Sequence, residues 1–415
     1  MERSRKMGKS GKNLDDLLDL NRAQVMRYIV QNRGCSRTDL GQNMGLTQAS
    51  ITKIIHSLIE NGAVYETGYV AGKKGRRSVG LSINYDKYKI LAVKLSWQRL
   101  KICAYDFLGN AYGQLISIPF ESMDLKNIES ITNMIIDGIR SFTSEYPEIV
   151  AIGMAVPGPY YRETGSILLP PYNNDPQKRI YYSLRAKLQE HTALPLFIEH
   201  DADAGALGYW WFYTNCNHKL ITLHILASEG VGGGLVEDSH IFSGKRGHSC
   251  ELGHITIDYN GRKCVCGSKG CLDAYCSFRS IEQIAKEQLP EYPNSLLQQL
   301  KSFSAQSFFS AMRQKDELAV KIVHETGVYL GHALISLLPV FDPDIVVISD
   351  ILALGEDILL EGINQAFESR QSFFTRKPQI KLIEDSQDLV LLGAATVGID
   401  EVLKKPTEYM LSSPE

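Results

Sequence analysis

The segment Glu251-Leu-Gly-His254, followed after nine residues by Cys264-Val-Cys266-Gly-Ser-Lys-Gly-Cys271-Leu-Asp273, constrains this chain more than any other part of it. One imidazole and three thiols in so short a span form the Cys₃His donor set of a tetrahedral zinc. Gly267 and Gly270 supply the turn that a ligand loop needs. Four N and S donors leave zinc no open position for an activated water, so the expected Zn²⁺ is structural, held by His254, Cys264, Cys266 and Cys271. A cluster of reduced, buried cysteines is the alternative, and Cys250 and Cys276 flank the group as substitute ligands. In either case Glu251 and Asp273, which bracket the loop, stay free for another ligand.

With 415 residues the chain has room for about two or three domains with substantial cores. Its 44% apolar and 22% charged content exclude a disordered polymer. Met1 to Lys12 is basic and polar, unlike a secretory signal, and no run of about eighteen apolar residues is present to span a bilayer. Together with metal-type cysteine spacing, this gives the expectation of a protein of reducing cytoplasm, with no membrane partner. The net charge of -3 hides an asymmetry. Residues 1–80 hold 14 Lys and Arg against 7 Asp and Glu, a balance of +7, which leaves -10 for the remaining 335 residues. A basic N-terminal module on an acidic body points to a polyanion as partner of the first part only.

After a basic tail (1–13), residues 14–84 read as three short helices and a hairpin. Val25, Tyr28 and Ile29 recur at helical spacing from Arg22 to Gln31, and Asn32-Arg33-Gly34 is a stop signal. Ser36-x-x-Asp39 is a capping box that opens a second helix, and Gly45 turns the chain. The third helix follows Thr47, with Ile51, Ile54, Ile55, Leu58 and Ile59 on one face. That leaves Gln48, Ala49, Ser50, Thr52 and Lys53 at its exposed start, where small, polar and basic groups reach base edges and phosphates. Strands on either side of Gly72-Lys73-Lys74-Gly75-Arg76-Arg77 form a basic wing. The pattern is a winged helix-turn-helix, with Arg37, Lys73, Lys74, Arg76 and Arg77 as further DNA contacts. A three-helix packing module with a solvated charged loop is the plainer reading, and the charge split argues against it.

From Lys89 the pattern changes period. Ile90–Leu95, Leu100–Tyr105 and a third run through Pro119 read as strands, a helix covers about 125–145, and Ile149–Val156 is a buried strand ending at Pro157-Gly158-Pro159. A strand from Leu196 runs into Glu199-His200-Asp201-Ala202-Asp203 and is read as opening a second lobe, so that two α/β lobes face each other across a cleft. Gly230-Val-Gly232-Gly-Gly234 is either a phosphate-cradling loop or, more simply, a glycine-rich hairpin.

In order along the chain, several markers resemble those of the ROK family of repressors and sugar kinases, in its repressor branch. They are Ser36-Arg37-x-x-Leu40, Gly45-Leu46-Thr47, Gly75-Arg76-Arg77, Pro157-Gly158-Pro159, Glu199-His200-Asp201, Gly230-x-Gly232-x-Gly234, Glu251-x-Gly253-His254 and the cysteine cluster. The resemblance spans about 14–404. It implies a mainly α winged helix-turn-helix followed by an α/β, two-lobed, actin-like and ribonuclease H-like sugar-kinase fold. The first lobe would be 88–198, completed by a C-terminal helix at about 389–404, and the second 199–388 with the zinc loop. By position, the sugar ligands it implies are His200, Asp201, Glu251, His254 and Asp273, with Asn173 or Asn174 as further candidates. Carboxylates and imidazoles suit vicinal hydroxyls independently of any resemblance.

Two functions compete. In a kinase, Asp201 is the general base and glycine loops hold ATP. In a regulator, Asp201 only binds the sugar, and the winged helices answer. Where family kinases carry Asp-x-Gly-Gly-Thr, this chain has Lys94-Leu95-Ser96-Trp97-Gln98, and Ser349-Asp350 stands where a nucleotide-binding Gly-Gly is usual. The expected function is therefore a non-enzymatic, sugar-responsive repressor of double-stranded operator DNA, a homodimer or homotetramer released by its sugar. The alternatives are an ATP-dependent sugar kinase with an appended DNA module, and a sugar-binding body whose N-terminal module contacts protein.

Overall fold

The computed structural model describes residues 14–71, 77–170, 179–245, 247, 249–369, 377–383 and 388–411. Helix α1 (Leu14–Gln31) is followed by α2 (Arg37–Met44) and α3 (Gln48–Glu60). Both sides of the predicted capping box form: Ser36 Oγ accepts from the Asp39 N–H, and the Ser36 N–H donates to Asp39 Oδ2. Gly45 closes α2 in the left-handed region, φ 64°. Strands β1 (Val64–Ala71) and β2 (Arg77–Ile83) pair antiparallel beside the helices. The apolar stripe Ile51, Ile54, Ile55 and Leu58 of α3 is buried with Val25, Met26, Ile29 and Leu40 in one core. Helix α1 begins eight residues before the Arg22 start read from periodicity, at Leu14. Its early part is tied down by tertiary contact, since Asp19 accepts from Arg22 and from Thr407 Oγ1 near the C-terminus.

The body holds two five-stranded sheets of similar plan. Strands β3 (Lys89–Leu95), β4 (Arg99–Asp106) and β5 (Ala111–Pro119) form an antiparallel meander. After α4 (Ile128–Glu145), β6 (Ile149–Val156) joins β3 in parallel. A small antiparallel sheet, β7 (Tyr160–Tyr161), β8 (Ser166–Leu169) and β9 (Ile180–Tyr182), and α5 (Leu184–Gln189) then lead to β10 (Leu196–His200). The structure corrects one expectation here. Strand β10 does not open the second lobe; it pairs in parallel with β6 and completes the first sheet, in the order β10-β6-β3-β4-β5.

Helix α6 (Asp201–Tyr213) crosses to the second sheet, β11 (Thr222–Ala227), β12 (Val231–Glu237) and β13 (His240–Ile241). The glycine run forms part of a β-hairpin: Gly232, Gly233 and Gly234 lie within β12, opposite Leu226, Ile225 and His224 of β11. Helices α7 (Asp273–Cys276), α8 (Phe278–Gln288), α9 (Ala305–Arg313) and α10 (Glu317–Phe341) follow. Strand β14 (Ile345–Ser349) pairs in parallel with β11, and after α11 (Glu356–Glu368) strand β15 (Gln379–Ile383) adds to the edge. Helix α12 (Leu389–Lys404) returns to pack on β3 and β6 of the first sheet and on α6, and α13 (Pro406–Tyr409) ends the described chain. The pair α6–α12 thus lies between the two sheets, because α6 also packs on β11 and β12. Among the described residues no helix is long and apolar enough to cross a membrane.

Candidate functional site

Parallel strands deliver their C-terminal ends to a common edge, where ligands of α/β proteins sit. Here β6 ends at Val156, before Pro157-Gly158-Pro159, and β10 ends at His200 on the edge beside it. A Cβ on Gly158 would lie 2.7 Å from His200 Nε2 and 3.8 Å from Glu251 Oε1. A side chain at this position would have to push the His200 ring aside, so glycine lets the loop lie against it. His200 Nε2 is 3.2 Å from Asp201 Oδ1, and Asp201 Oδ1 accepts from the Ala202 N–H. His200, Asp201 and Glu251, three of the sugar candidates, therefore converge beside one loop.

Beneath them lies an ion cluster that sequence reasoning did not find. The Arg162 guanidinium donates to both oxygens of Glu199, at 2.9 and 3.0 Å from Nε, and to Asp203 Oδ2 at 2.8 Å. Burial pushes the Asp203 carboxyl up to about 7, and the Glu199 charge adds to this against the pull of His200 and Arg162. Burial also raises Asp201, with His200 opposing. For His200 burial alone favours the neutral ring, but Asp201, Asp203, Glu251 and Glu199 together hold its pKa above the ordinary value. Two acids four residues apart at a strand-helix junction, the half-buried Glu199 and the buried Asp203, do signal a required countercharge. Nothing in the sequence says that Arg162 supplies it.

Asp273 is buried at the start of α7; Oδ1 accepts from the Val231 N–H at 3.0 Å and Oδ2 from Arg279 at 2.9 Å. It ties the metal-type loop to β12. His254 ends a short 3-10 turn, Leu252–His254, with its Nδ1 3.7 Å from Cys264 Sγ. Cys266 Sγ and Cys271 Sγ are also 3.7 Å apart, and the donor atoms of His254, Cys264, Cys266 and Cys271 all lie within 4.8 Å of one another. A tetrahedron with Zn–S arms of about 2.3 Å has edges of about 3.8 Å, so the donor set fits such an ion. Gly270, at φ 69°, lets the loop close: a Cβ there would sit 1.5 Å from the Asp258 carbonyl oxygen. With Nδ1 in the sulfur cluster, Nε2 is the His254 nitrogen left for another partner. Asn173 and Asn174 lie outside the described residues.

In the N-terminal module Gln48, Ala49, Ser50, Thr52 and Lys53 are all exposed on α3, and Thr47 caps the helix by accepting from the Ser50 N–H. Arg37 is paired with Glu66 of β1 at 2.7 Å. Lys73, Lys74 and Arg76 lie outside the described residues, and Arg77 opens β2.

The ROK family model matches residues 121–401. This chain belongs to the ROK family. A xylose repressor of Caldicellulosiruptor bescii is 26% identical to this ROK chain over 95% of it and 98% of the relative. The crystal structure of a ROK family transcriptional regulator, a homologue of the Escherichia coli Mlc protein, superposes with a TM-score of 0.78 at 27% identity, covering 95% of this chain and 98% of that one. A ROK glucokinase from Streptomyces griseus, solved with glucose and AMPPNP, matches with a TM-score of 0.64 at 22% identity, over 75% of this chain and 99% of its own. That likeness shows the sugar-kinase-like fold of the body.

Proposed function

We propose that this chain is a sugar-responsive, DNA-binding transcriptional repressor. The observation that carries this reading is one of coverage. The transcriptional regulator matches 95% of the chain, N-terminal module included, whereas the whole glucokinase matches only 75%. In this reading residues 14–84 are a winged helix-turn-helix. Helix α3 enters the major groove through Gln48, Ala49, Ser50 and Thr52, and Lys53, Arg37, Lys73, Lys74, Arg76 and Arg77 meet the backbone. Two protomers, or a tetramer of them, address a pseudo-palindromic operator in the cytoplasm.

The effector is a small sugar held by His200, Asp201, Glu251, His254 and Asp273, with Asn173 or Asn174 as further candidates. Xylose is the first candidate, from the name of the relative. The structural Zn²⁺ is held by His254, Cys264, Cys266 and Cys271, and it braces the loop that carries Glu251 and Asp273. Asp201 accepts from a sugar hydroxyl, and no phosphoryl transfer follows. The position of a kinase's metal-binding carboxylate is taken by Lys94, which is paired with Asp388 at 2.9 Å and brings positive charge of its own. Sugar binding shifts the balance between two arrangements of the DNA modules, by the difference in its affinity for them.

The test is Asp201→Ala. The variant is expected to bind promoter DNA as the wild type does and to ignore every sugar that releases the wild type. Loss of DNA binding in the absence of sugar would contradict this division of roles.

A further inference from the structure

Helix α12 connects the candidate effector cleft to the N-terminal module, and both of its ends are held by buried charge. At its start, Asp388 caps the helix by accepting from the Leu391 N–H at 3.1 Å. The same carboxylate takes Lys94 Nζ on Oδ1 at 2.9 Å and Lys101 Nζ on Oδ2 at 2.7 Å. Lys94, on β3, has a side chain only 10% exposed, and its ammonium also lies 3.5 Å from Asp350 Oδ2. Asp350 directly follows β14 of the second sheet in the left-handed region, φ 67°. One ammonium thus joins three elements: a strand of the first sheet, the exit of a strand of the second, and the N-terminus of α12. Removing it takes away the positive charge between these two carboxylates and leaves Lys101 as the ammonium on Asp388, an unfavourable change at a largely buried junction.

This junction is connected to Asp201. The buried His224 on β11 has Nδ1 2.8 Å from the Ala202 carbonyl and Nε2 2.7 Å from Ser349 Oγ. The carbonyl can only accept, so Nδ1 carries the hydrogen and Nε2 accepts from the serine hydroxyl. Ala202 follows Asp201, and Ser349 precedes Asp350. The start of α6 and the end of β14 are therefore held together by one imidazole.

At the other end of α12, Asp400 pairs with Arg27 of α1 at 2.7 Å and with Lys404 at 2.9 Å. Arg27 also lies over the Trp211 ring of α6, 5.5 Å from its centroid. Helix α12 has 16 residues, and from Asp388 to Asp400 it covers roughly 18 Å at about 1.5 Å per residue. It has no room to flex sideways, because Gly393 meets the Ala204 backbone of α6 and Ala394 meets Gly153 of β6. A displacement at Asp388 is therefore delivered to Asp400 as movement of the whole helix.

We propose that Lys94 and Asp388 form a positioning joint that carries the state of the effector cleft into α12 and, through Asp400 and Arg27, to the N-terminal module. This rests on the reading of the cleft as the sugar site and of the module as the DNA site. In that frame Lys94 is neither a sugar ligand nor a DNA contact. It sets how strongly one site feels the other.

The experiment uses the full chain, DNA from upstream of its own gene, and whichever of D-xylose and D-glucose releases that DNA from the wild type. Three quantities are measured separately: DNA affinity without sugar, sugar affinity without DNA, and the factor by which sugar weakens DNA binding. Couplings of this kind are about 5–150-fold. Lys94→Met, and Asp388→Asn, which keeps a capping oxygen, are expected to leave both single affinities within about threefold of wild type. In both variants the coupling is expected to fall below about twofold, and Lys94→Arg is expected to restore most of it. If Lys94→Met fails to fold by circular dichroism, Asp388→Asn and Lys94→Arg decide the matter. Full coupling in the variants overturns the joint alone, as does loss of sugar binding itself, which makes Lys94 part of the binding site. A wild type that shows no coupling with either sugar, or with any other mono- or disaccharide tried in their place, overturns the functional reading, and the joint with it.

Discussion

Gly393 lies where α12 crosses α6, and a Cβ built on it would sit 2.1 Å from the Ala204 carbonyl oxygen and 2.4 Å from its carbon. Non-bonded heavy atoms rest about 3.5–4.0 Å apart, so Gly393→Ala requires the two backbones to separate by more than an ångström. Two effects compete. Alanine in a helix interior is favoured over glycine by about 1 kcal/mol. Forcing a methyl into a close-packed contact costs about 1–3 kcal/mol, and the upper end applies where the obstacle is backbone and no rotamer relieves it. The clash wins, for a net loss of about 2 kcal/mol. Urea unfolding followed by tryptophan fluorescence is the assay, because Trp210 and Trp211 are buried in α6, the helix on which α12 packs. Gly41→Ala on α2 is the control: its Cβ meets only the flexible Gln48 side chain, at 3.2 Å, and stability is expected to rise by up to about 1 kcal/mol. A Gly393→Ala midpoint at or above that of wild type would refute the packing argument.

Zinc measured by mass spectrometry on the purified chain is expected at one ion per protomer, and Cys266→Ser is expected to lose most of it; unchanged content rules Cys266 out as a ligand. Lys53→Ala is expected to weaken binding to all DNA sequences alike and to lower the slope of log affinity against log salt by about 1; an unchanged slope removes Lys53 from the phosphate contacts. His224 gives a pH signature. Burial depresses its pKa to about 4, with the lysine and histidine charges nearby acting in the same direction and the Ala202 carbonyl opposing. The unfolded imidazole takes a proton near 6.5 and the folded one does not, so the unfolded state binds more protons in this window. Stability therefore falls as pH drops from about 6.5 to about 4, by up to about 1.4 kcal/mol per unit, and His224→Gln is expected to lack that part of the slope. Parallel stability curves for the two proteins would contradict this.

What was legible in the sequence is what is local. The capping box at Ser36, the apolar stripe of α3 and the cysteine spacing each lie within a few residues, and period or donor chemistry declares them. The C-terminal helix expected at 389–404 is observed over Leu389–Lys404. What was not legible is pairing at a distance. Strand β10 reads as the start of a second unit because α6 follows it, and only its register against β6 assigns it to the first sheet. Arg162 is 37 and 41 residues from its partners Glu199 and Asp203, and Lys94 and Asp388 are 294 residues apart. The glycines of β12 have a packing reason invisible in one dimension: a Cβ on Gly234 would lie 2.3 Å from the Ala202 carbonyl oxygen of α6.

In the function proposed above, sugar and DNA compete through this protein without chemistry. The direct measurement titrates D-xylose, D-glucose and other mono- and disaccharides against the chain bound to its own promoter DNA, with and without Mg-ATP, following DNA release and ADP together. Release by one sugar at unchanged ADP is expected. Sugar-dependent ADP formation would contradict it and make this ROK chain a kinase that also binds DNA.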